Sequence, residues 1–551
     1  MPTRPGRDVL MEALEAEGVQ YIFGNPGTTE GAIMHALEDR PNLEYILVAQ
    51  EGVAVGMADG YARQSGRPAF VNLHIETGLS NGLSLMCNAY AGGTPMVVTA
   101  ANSSIGKVAE GRTDLVDLAR PFSKWGAEVT NADQLPSVMH RAFREAKTPP
   151  TGPTFISFAQ NALDEMTDVP VAPSGDLSTV LTPDPQTIQA AAELLASAER
   201  PAVLVGDRVA QYGAVDQMVQ VAELVGAPVY GASYPTMMFP TSHPQWMHQL
   251  PPYVGLYREA FAETDVLLAV GARVFHDFFA PATGILADDA RLVHLDINQD
   301  AIGRVEPTDV GIWADLGIGL DELYAAVSEL QSPVQADAAR SRAASLAAGY
   351  PGRRASPPES DDARPMPSTA MMAALAEGLP TDVIVVDDSI SCRPDLHAAV
   401  TFDHRRRVQA ERAGGAIGWG MGGALGVALA APDQRVVAVI GDGSAMLTVQ
   451  ALWTAAAYRI PIVYCICNNA GYRVLKLNLR RWFADVLHEP DRPSQYLGMD
   501  LNQPFDLAAI AQAMNVPSER IDDPTRIAPA LTQALNHPGP TLLDIIIDGT
   551  V

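Results

Sequence analysis

Cysteine is scarce in this chain. Four of its 551 residues are cysteines, and they form no CxxC pair and have no histidine nearby at metal-ligand spacing. Neither a disulfide framework nor a zinc site is therefore predicted. We expect reduced thiols in the core for all of them: Cys87, Cys392, Cys465 and Cys467.

Basic residues and long apolar runs are also few. Lys and Arg number 37 against 64 Asp and Glu, and the resulting net charge of -27 repels phosphate backbones and anionic lipid. No apolar run approaches the length of a membrane span, and the first residues, "MPTRPGRDVLMEALEAEG", are typical of an amphipathic helix rather than a signal peptide. We therefore expect no nucleic-acid or membrane partner, and a cytoplasmic location.

Short β-branched runs alternate along the chain with Ala-rich segments of helical length. This pattern is typical of parallel sheets covered by helices on both faces, so the predicted fold class is α/β. A chain of this length should divide into about three domains, and stretches rich in Pro, Ser and Asp indicate the connectors. The predicted division is a first domain over 1–180, a central domain over 181–335, a linker over 336–365 and a third domain over 366–551.

The stretch "AVIGDGSAM" places an acid, Asp442, between two glycines directly after an apolar strand. Ligands bind at the carboxyl ends of parallel strands, and Gly443 and Ser444 begin a helix whose first amides suit an anion. The next apolar run, "IPIVYCIC", ends in Asn468 and Asn469 at the same sheet edge. A carboxylate, an amide oxygen and a carbonyl are hard ligands that suit Mg²⁺ together with a phosphate. In the alternative interpretation, Asp442 only caps a turn.

This arrangement resembles the thiamine diphosphate motif of the 2-oxo-acid decarboxylase and acetohydroxyacid synthase superfamily, and most closely that of the benzoylformate decarboxylases. The stretches "VVAVIGDGSAMLTVQALWTAAAYRIP", "FGNPGTTE", "GMADGYARQSGRPAFVNLH" and "RAGGAIGWGMGGALG" match that group in kind and order. The resemblance covers essentially the whole chain. It implies three parallel-sheet α/β domains, which are pyrimidine-binding, central and diphosphate-binding in that order, with thiamine diphosphate and Mg²⁺ as cofactors.

The resemblance also implies which residues contact the cofactor. The metal would be held by Asp442, Asn469 and the backbone carbonyl of Gly471. Ile417 would wedge the cofactor into a bent shape, beside the free carbonyl of Gly415. Further cofactor contacts are implied for Asn81, Ser391, Gly443 and Ser444.

Catalytic roles follow from the same resemblance. Glu51 matches the glutamate that activates the cofactor through its pyrimidine ring, and Thr28 stands where the family has a serine close to the substrate carboxylate. His74 matches a histidine that moves protons. A second family histidine aligns with Phe278, but His276, two residues earlier, keeps the same face in an extended segment. His276 therefore either reaches the pocket and helps to move protons or, as the alternative, points from its loop into solvent.

The substrate pocket is implied to include Val474 and Asn478. Arg473 and Lys476 beside them favour a more polar or more anionic substrate than an unsubstituted aromatic one. The segment after Gly471 is longer and more basic than in the benzoylformate decarboxylases, and we expect it to form a lid.

The implied reaction is the non-oxidative decarboxylation of a benzoylformate-like 2-oxo acid to an aldehyde through an enamine intermediate. Carboligation to acyloins or acetohydroxy acids, as in acetolactate synthases or benzaldehyde lyases, is the alternative, and a non-catalytic cofactor-binding subunit is a second one. The partner is a small 2-oxo acid or aldehyde. This family pairs the domains of Glu51 and Asp442 across subunits, so a homodimer or homotetramer with interfacial active sites is implied. Whether the central domain holds FAD or ADP stays open.

A dinucleotide site is a competing interpretation of the glycines at Gly418, Gly420 and Gly423, which satisfy GxGxxG. That fingerprint requires a strand immediately before it. The preceding segment "RRRVQAERAGGA" is charged and is predicted not to be a strand, which disfavours a nicotinamide-dependent dehydrogenase.

Overall fold

The computed structural model describes residues 3–175, 180–233, 236–353, 363–410 and 414–551. Within them, the chain forms three sheets of six parallel strands each, with α-helices between most successive strands. The predicted α/β class is confirmed. The inner strands are buried on both faces, which explains their unbroken apolar sequences.

The first region contains a sheet of order β3-β2-β4-β5-β7-β6 and a small antiparallel pair, β1 and β8. Its elements are β1 (Arg4–Pro5), α1 (Gly6–Ala16), β2 (Tyr21–Gly24), α2 (Gly31–Leu37), β3 (Glu44–Leu47), α3 (Glu51–Ser65), β4 (Ala69–His74), α4 (Ile75–Gly92), β5 (Met96–Asn102), α5 (Leu115–Ala119), β6 (Trp125–Val129), α6 (Leu135–Lys147), β7 (Pro153–Ala159), α7 (Gln160–Asp164) and β8 (Met166–Thr167).

The central region has the order β11-β10-β9-β12-β13-β14. Its elements are α8 (Pro185–Ser197), β9 (Pro201–Val205), α9 (Asp207–Gln211), α10 (Val215–Val225), β10 (Val229–Gly231), β11 (Trp246–Gln249), α11 (Val254–Phe261), β12 (Val266–Val270), β13 (Arg291–Asp296), β14 (Val310–Trp313), α12 (Leu316–Leu330) and α13 (Pro333–Arg353). Within the described residues of this sheet, no α-helix separates β10 from β11, β12 from β13 or β13 from β14.

The third region has the order β16-β15-β17-β18-β20-β19. Its elements are α14 (Ser368–Gly378), β15 (Val383–Asp388), α15 (Arg393–Ala399), β16 (Arg407–Ala410), α16 (Trp419–Ala430), β17 (Arg435–Gly441), α17 (Asp442–Leu447), α18 (Ala451–Ala457), β18 (Val463–Asn468), α19 (Arg473–Asp485), α20 (Leu507–Ala513), β19 (Ser518–Ile521), α21 (Ile527–Leu535) and β20 (Thr541–Ile546).

In the six-stranded sheets, the strands that do not follow from the apolar runs of the sequence number five: β6, β11, β14, β16 and β19. Each lies at the edge of its sheet. An edge strand has one unpaired side, so its side chains are more exposed and its sequence more polar. The prediction that no strand precedes Gly418 was wrong for this reason, because residues 407–410 form β16.

Two helical segments also differ from expectation. The helix predicted to begin at Gly443 and Ser444 is short, and the stretch "SAMLTVQALWTAAAYR" forms two helices, α17 and α18, separated at residues 448–450. The first part of the predicted linker is the helix α13, which packs against α10 and whose Ala-rich sequence favours helix. Residues 354–362 of that linker lie outside the described residues.

Helices α3 and α16 join the first and third regions through a glycine-rich contact. A Cβ atom at Gly60 would come within 2.0 Å of the Gly423 carbonyl oxygen, and one at Gly426 within 1.9 Å of the Met57 carbonyl oxygen. The glycines of "GWGMGGALG" thus permit close helix packing. Since β16 is an edge strand and not the central strand of a dinucleotide fold, a nicotinamide site remains disfavoured despite this strand.

The cysteines are free thiols, and three of them are buried as expected, whereas Cys87 is half-buried and does not lie fully in the core. No helix of the described part of the chain has the length and apolar character needed to cross a membrane.

Candidate active site

Asp442 is the first residue of α17, at the carboxyl end of β17, and is buried. Its Oδ1 accepts a hydrogen bond of 2.8 Å from the Gly443 amide, while its Oδ2 is buried and has no hydrogen-bond partner within the described residues. Burial raises the pKa of this carboxyl group to about 6, although the backbone amides of Gly443, Gly471 and Ala470 nearby act in the opposite direction. One oxygen therefore caps the turn, and the other is left over for a ligand.

Asn469 and Gly471 follow β18 and lie beside Asp442. The Asn469 Oδ1 accepts from the Gly471 amide at 3.1 Å, and its Nδ2 donates to Ser391 Oγ at 3.4 Å. In the described parts of the chain, no three His, Cys, Asp or Glu side chains could together hold a metal ion. A cation at this edge would thus depend on one carboxylate, an amide oxygen, a carbonyl and oxygens from a ligand, a donor set that fits Mg²⁺ and diphosphate.

Gly443 and Ser444 lie at the same edge but differ in their contacts. Gly443 packs against the Tyr472 ring, where a Cβ atom would lie 2.6 Å from a ring carbon. The Ser444 hydroxyl donates to Asp388 and accepts from the Gly418 amide at 2.7 Å. Its side chain therefore supports the segment before α16.

Gly415 and Ile417 belong to that segment, residues 414–418. Gly415 is exposed and Ile417 half-buried, and both Gly415 and Gly418 adopt positive φ angles, of 76° and 93°. Glycine is favoured at these two positions because side chains strain a left-handed backbone.

Glu51 begins α3 in the first region and is buried. Its Oε2 accepts from Asn81 Nδ2 at 2.9 Å, and its Oε1 accepts from Asn25 Nδ2 at 3.5 Å. Two amide groups therefore hold this carboxyl group at the carboxyl edge of the sheet. Across the described residues of the chain, no hydrogen bond or ion pair joins it to the group around Asp442.

His74 ends β4 and contacts a buried acid that sequence reasoning did not assign. Its Nδ1 lies 2.8 Å from Glu30 Oε2 and 3.1 Å from Thr29 Oγ1. Glu30 is fully buried and also accepts from the amides of Gly27 and Ala101. A carboxylate only accepts, so Nδ1 carries the hydrogen and Nε2 is the nitrogen available for proton exchange.

The quoted motif "FGNPGTTE" contained the signal for these residues. The prediction assigned Thr28 of this motif and did not include its last residue, Glu30. In the structure, Glu30 is buried and Thr28 is exposed. Thr29, the next residue, is the one whose hydroxyl contacts His74.

Strained backbone positions adjoin the candidate site residues. In the described chain, eight residues other than glycine have positive φ, and four of them are next to residues assigned to the site. Ile75 (φ 28°) follows His74, Phe275 (53°) precedes His276, Ile390 (49°) precedes Ser391, and Ala470 (54°) separates Asn469 from Gly471. Such conformations cluster at functional sites, and this observation does not depend on sequence resemblance.

His276 lines a cleft of the central region together with Arg208, Arg273 and Arg304. Burial and the nearby Arg273 lower the pKa of its imidazole. The ring packs edge-on against Phe278, with centroids 5.5 Å apart.

The central region also contacts α19, which carries the predicted pocket residues. Phe278 packs edge-on against Tyr253, and the Tyr253 hydroxyl donates to Asn478 Oδ1 at 2.7 Å. Val474 lies one turn earlier on α19 and is half-buried. The aromatic side chains of the central region therefore approach the face of α19 that carries Asn478.

The basic residues Arg473 and Lys476 are engaged elsewhere. Lys476 forms an ion pair with Asp500, and Arg473 donates to the Thr550 carbonyl oxygen at 2.9 Å. Their predicted effect on substrate charge is thus not supported by their contacts. The predicted lid segment is the helix α19 followed by a stretch that returns to pair with Gly471 at Asp500.

Three parallel α/β sheets, with polar side chains at the carboxyl ends of two of them, define a multidomain α/β enzyme with a cofactor site. Family models of the thiamine pyrophosphate enzymes match all three regions: the N-terminal TPP binding domain over residues 4–120, the central domain over 188–323 and the C-terminal TPP binding domain over 389–545. The chain belongs to the thiamine pyrophosphate enzyme family.

Individual relatives place it among the thiamine diphosphate-dependent enzymes of the decarboxylase and acetolactate synthase type. It is 32% identical to a benzoylformate decarboxylase of Pseudomonas aeruginosa, over 97% of both chains. It is 29% identical to a probable acetolactate synthase large subunit of Methanocaldococcus jannaschii, over 98% of this chain and 92% of that one. The solved 4-hydroxybenzoylformate decarboxylase of Rhodococcus jostii superposes with a TM-score of 0.85 at 27% identity, over 99% of both chains.

Proposed function

We propose that this protein decarboxylates a small 2-oxo acid to an aldehyde without oxidation, using thiamine diphosphate and Mg²⁺. The observation that carries the proposal is the pair of His74 and the buried Glu30, because formation of an aldehyde requires a proton donor at the reacting carbon. The similarity to proteins named benzoylformate and 4-hydroxybenzoylformate decarboxylase supports an aromatic 2-oxo acid as the substrate.

Asp442, Asn469 and the carbonyl of Gly471 would hold Mg²⁺ and, through it, the diphosphate. The unpartnered Asp442 Oδ2 supports this assignment, since a buried carboxylate oxygen without a donor is costly unless a ligand pairs with it. Ser391, next to Asn469, and Gly443 and Ser444, in the first turn of α17, would complete the diphosphate end.

Glu51 would bind the pyrimidine ring and share a proton with its nitrogen. Asn81 and Asn25 hold the carboxyl group in place for that contact. Ile417 would support the bend of the cofactor, and the Gly415 carbonyl would accept from its amino group.

When bound, thiamine diphosphate supplies a carbon that attacks the 2-oxo group and an electron sink for the pair released with carbon dioxide. Thr28 would position the substrate carboxylate, and His74 Nε2 would deliver the proton. Val474, Asn478 and the aromatic side chains of the central region would form the pocket wall, with His276 as a second proton carrier.

A dimer would bring Glu51 of one chain to the Asp442 group of another. Large apolar side chains are exposed on the elements around the site, including Leu447 at 50%, Tyr90 at 45% and Leu475 at 44%. Burial of this surface favours association of two chains. A homodimer is the minimum and a homotetramer is compatible with it.

The proposal is tested by incubating the purified protein with thiamine diphosphate, Mg²⁺ and a panel of 2-oxo acids, and by identifying products by mass spectrometry. An aldehyde from an aromatic 2-oxo acid is the expected product. Coupled acyloins or acetohydroxy acids as the main product, in the presence of an acceptor aldehyde, would instead assign carboligation, which the acetolactate synthase relative supports. Cofactor binding without any product would assign a non-catalytic subunit.

A further inference from the structure

The segment that carries Gly415 and Ile417 is attached to side chains of two regions of the chain. Its contacts with the first region include a long one of 3.6 Å between Cys87 Sγ and the Gly414 carbonyl oxygen. At its carboxyl end, the Gly418 amide donates to Ser444 Oγ at 2.7 Å, and the Gly418 carbonyl accepts from Thr448 Oγ1 at 2.5 Å. Both partners belong to the third region. In its middle, Ala416 bonds through its amide and its carbonyl to Asn88 of α4 in the first region.

The contact between Asn88 and Ala416 is a closed pair of hydrogen bonds. Asn88 Nδ2 donates to the Ala416 carbonyl at 2.7 Å, and Asn88 Oδ1 accepts from the Ala416 amide at 3.0 Å. Asn88 is fully buried, and the backbone passes so close that a Cβ atom at Gly414 would lie 2.4 Å from the Asn88 oxygen. The Asn88 side chain therefore satisfies the backbone amide and carbonyl of Ala416, which in a sheet would pair with a neighbouring strand.

Helix α4 also holds the other candidate group of the first region. Asn81, which donates to Glu51, lies seven residues before Asn88, so the two amides are on the same helix face about two turns apart. One rigid helix thus holds both Glu51 and Ala416.

We propose that Asn88 is a positioning residue for the cofactor: it fixes Ala416 so that the Gly415 carbonyl and the Ile417 side chain on either side of it support the bent cofactor. This inference rests on the proposed function. Glycine is conformationally permissive, and Gly415 and Gly418 both adopt positive φ angles, so the segment depends on its side-chain attachments for its position. Among its contacts with the described residues of the first region, the Asn88 pair supplies both hydrogen bonds of normal length.

The test uses Asn88→Ala, which removes both hydrogen bonds, and Asn88→Asp, which keeps the shape but sets a carboxylate against the Ala416 carbonyl. Asn161→Ala is the matched control, because Asn161 also donates to a backbone carbonyl, that of Thr130, and accepts from a backbone amide, that of Ile105, in the same region. Two quantities are measured on the full chain with Mg²⁺: the Kd for thiamine diphosphate by calorimetry, and the rate of deuterium exchange at the thiazolium C2 by NMR after acid quenching.

We expect both Asn88 variants to raise the Kd and to slow C2 exchange by roughly 10- to 100-fold, the effect of a displacement of about 1 Å in a positioned group. Asn161→Ala should match the wild type in both quantities, even where its melting temperature falls as much as that of Asn88→Ala. If both Asn88 variants keep both quantities within about twofold of the wild type, Asn88 only stabilises the fold and the proposal is wrong.

The same measurements separate this inference from the proposed function. A wild-type protein that does not bind thiamine diphosphate overturns both. A wild-type protein that binds the cofactor and exchanges C2, but decarboxylates no 2-oxo acid, contradicts only the proposed function, and the Asn88 variants still decide the inference.

Discussion

The first and third sheets have the same topology and carry different chemistry. Numbered along the chain within each sheet, both have the strand order 2-1-3-4-6-5, whereas the central sheet has 3-2-1-4-5-6. In both, candidate residues lie at the ends of the first, second and third strands: Thr28 to Glu30, Glu51 and His74 in the first sheet, and Ser391, the 414–418 segment and Asp442 in the third. In the third sheet, Asn469 and Gly471 also follow the fourth strand, β18.

The difference lies in what holds the groups at these matching positions. In the first sheet, Glu51 and His74 are oriented by other side chains, Asn81 and Glu30, and both can exchange protons. In the third sheet, Asp442 and Asn469 each accept from a backbone amide, Asn469 also donates to Ser391, and Asp442 leaves one oxygen atom without a partner among the described residues. The shared topology therefore explains why both sets of side chains lie at the carboxyl ends of strands. The type of side chain explains why the first set suits proton exchange and the third-sheet set suits binding of a ligand. Substitutions at matching positions should separate cofactor binding from proton transfer.

The largest effect is expected from Asp442→Ala. Loss of the metal ligand should abolish binding of thiamine diphosphate with Mg²⁺ in calorimetry, together with the rise in melting temperature that the cofactor produces in the wild type. The protein without cofactor should melt at the same or a higher temperature, because removal of the buried carboxylate oxygen that has no partner among the described residues offsets the loss of the hydrogen bond from Gly443. Asp433→Asn, at an exposed site of the same region, is the control, and a variant at position 442 that still binds the cofactor would refute the assigned metal site.

Glu51→Gln should give the opposite result. The Kd for thiamine diphosphate should change little, because the proposed metal site in the third sheet is intact. Turnover and C2 exchange should fall by about 10²- to 10⁴-fold, the range for loss of a positioned acid or base. Unchanged turnover would contradict the role of Glu51.

Glu30→Gln tests the acid that orients His74. We expect kcat to fall by up to about 100-fold, since the imidazole loses the partner that directs Nε2 toward the site. The Kd for the cofactor should remain that of the wild type, which distinguishes a positioning role from a general loss of structure. Glu38→Gln, at the exposed residue that follows α2, should leave kcat unchanged. A wild-type kcat in Glu30→Gln would exclude the role.

A pH dependence should accompany the metal site. Burial raises the pKa of Asp442 from 3.8 to about 6 in the protein without cofactor. Between these two values the folded protein keeps a proton that the unfolded chain releases, so this group lowers stability progressively as pH rises from about 4 to 6. Mg²⁺ affinity should show the reverse trend and rise by about tenfold per pH unit up to pH 6, then level off. Calorimetry from pH 5 to 8 measures it, and a flat affinity would be inconsistent with Asp442 as the ligand.

The smallest effect is expected from His276→Ala. This residue lies in a cleft of the central sheet, whose topology differs from that of the other two sheets. We expect turnover to fall by less than about tenfold, below the range of a general acid or base. A larger loss of turnover with an unchanged cofactor Kd would mean that the central sheet contributes a proton-transfer group, as the first sheet is proposed to do.

The sequence indicated the inner strands of all three sheets but not five of the edge strands. An inner strand is buried on both faces, so its apolar run is visible in the sequence, as in "RVVAVI" of β17. An edge strand such as β16, with the sequence "RVQA", owes its conformation to the neighbour it pairs with, β15, and carries little signal of its own.

The sequence by itself determined the α/β class, the family and the placement of Asp442 and Asn469, because strand ends and glycine-rich turns are local features that neighbouring residues specify. Only the tertiary structure decided which groups orient the others. Glu30 and His74 are 44 residues apart, and Asn88 and Ala416 are 328 apart, yet each pair is joined by hydrogen bonds. Such contacts are set by the packing of whole helices and sheets, above all the close approach of α3 and α16, and no local pattern encodes them.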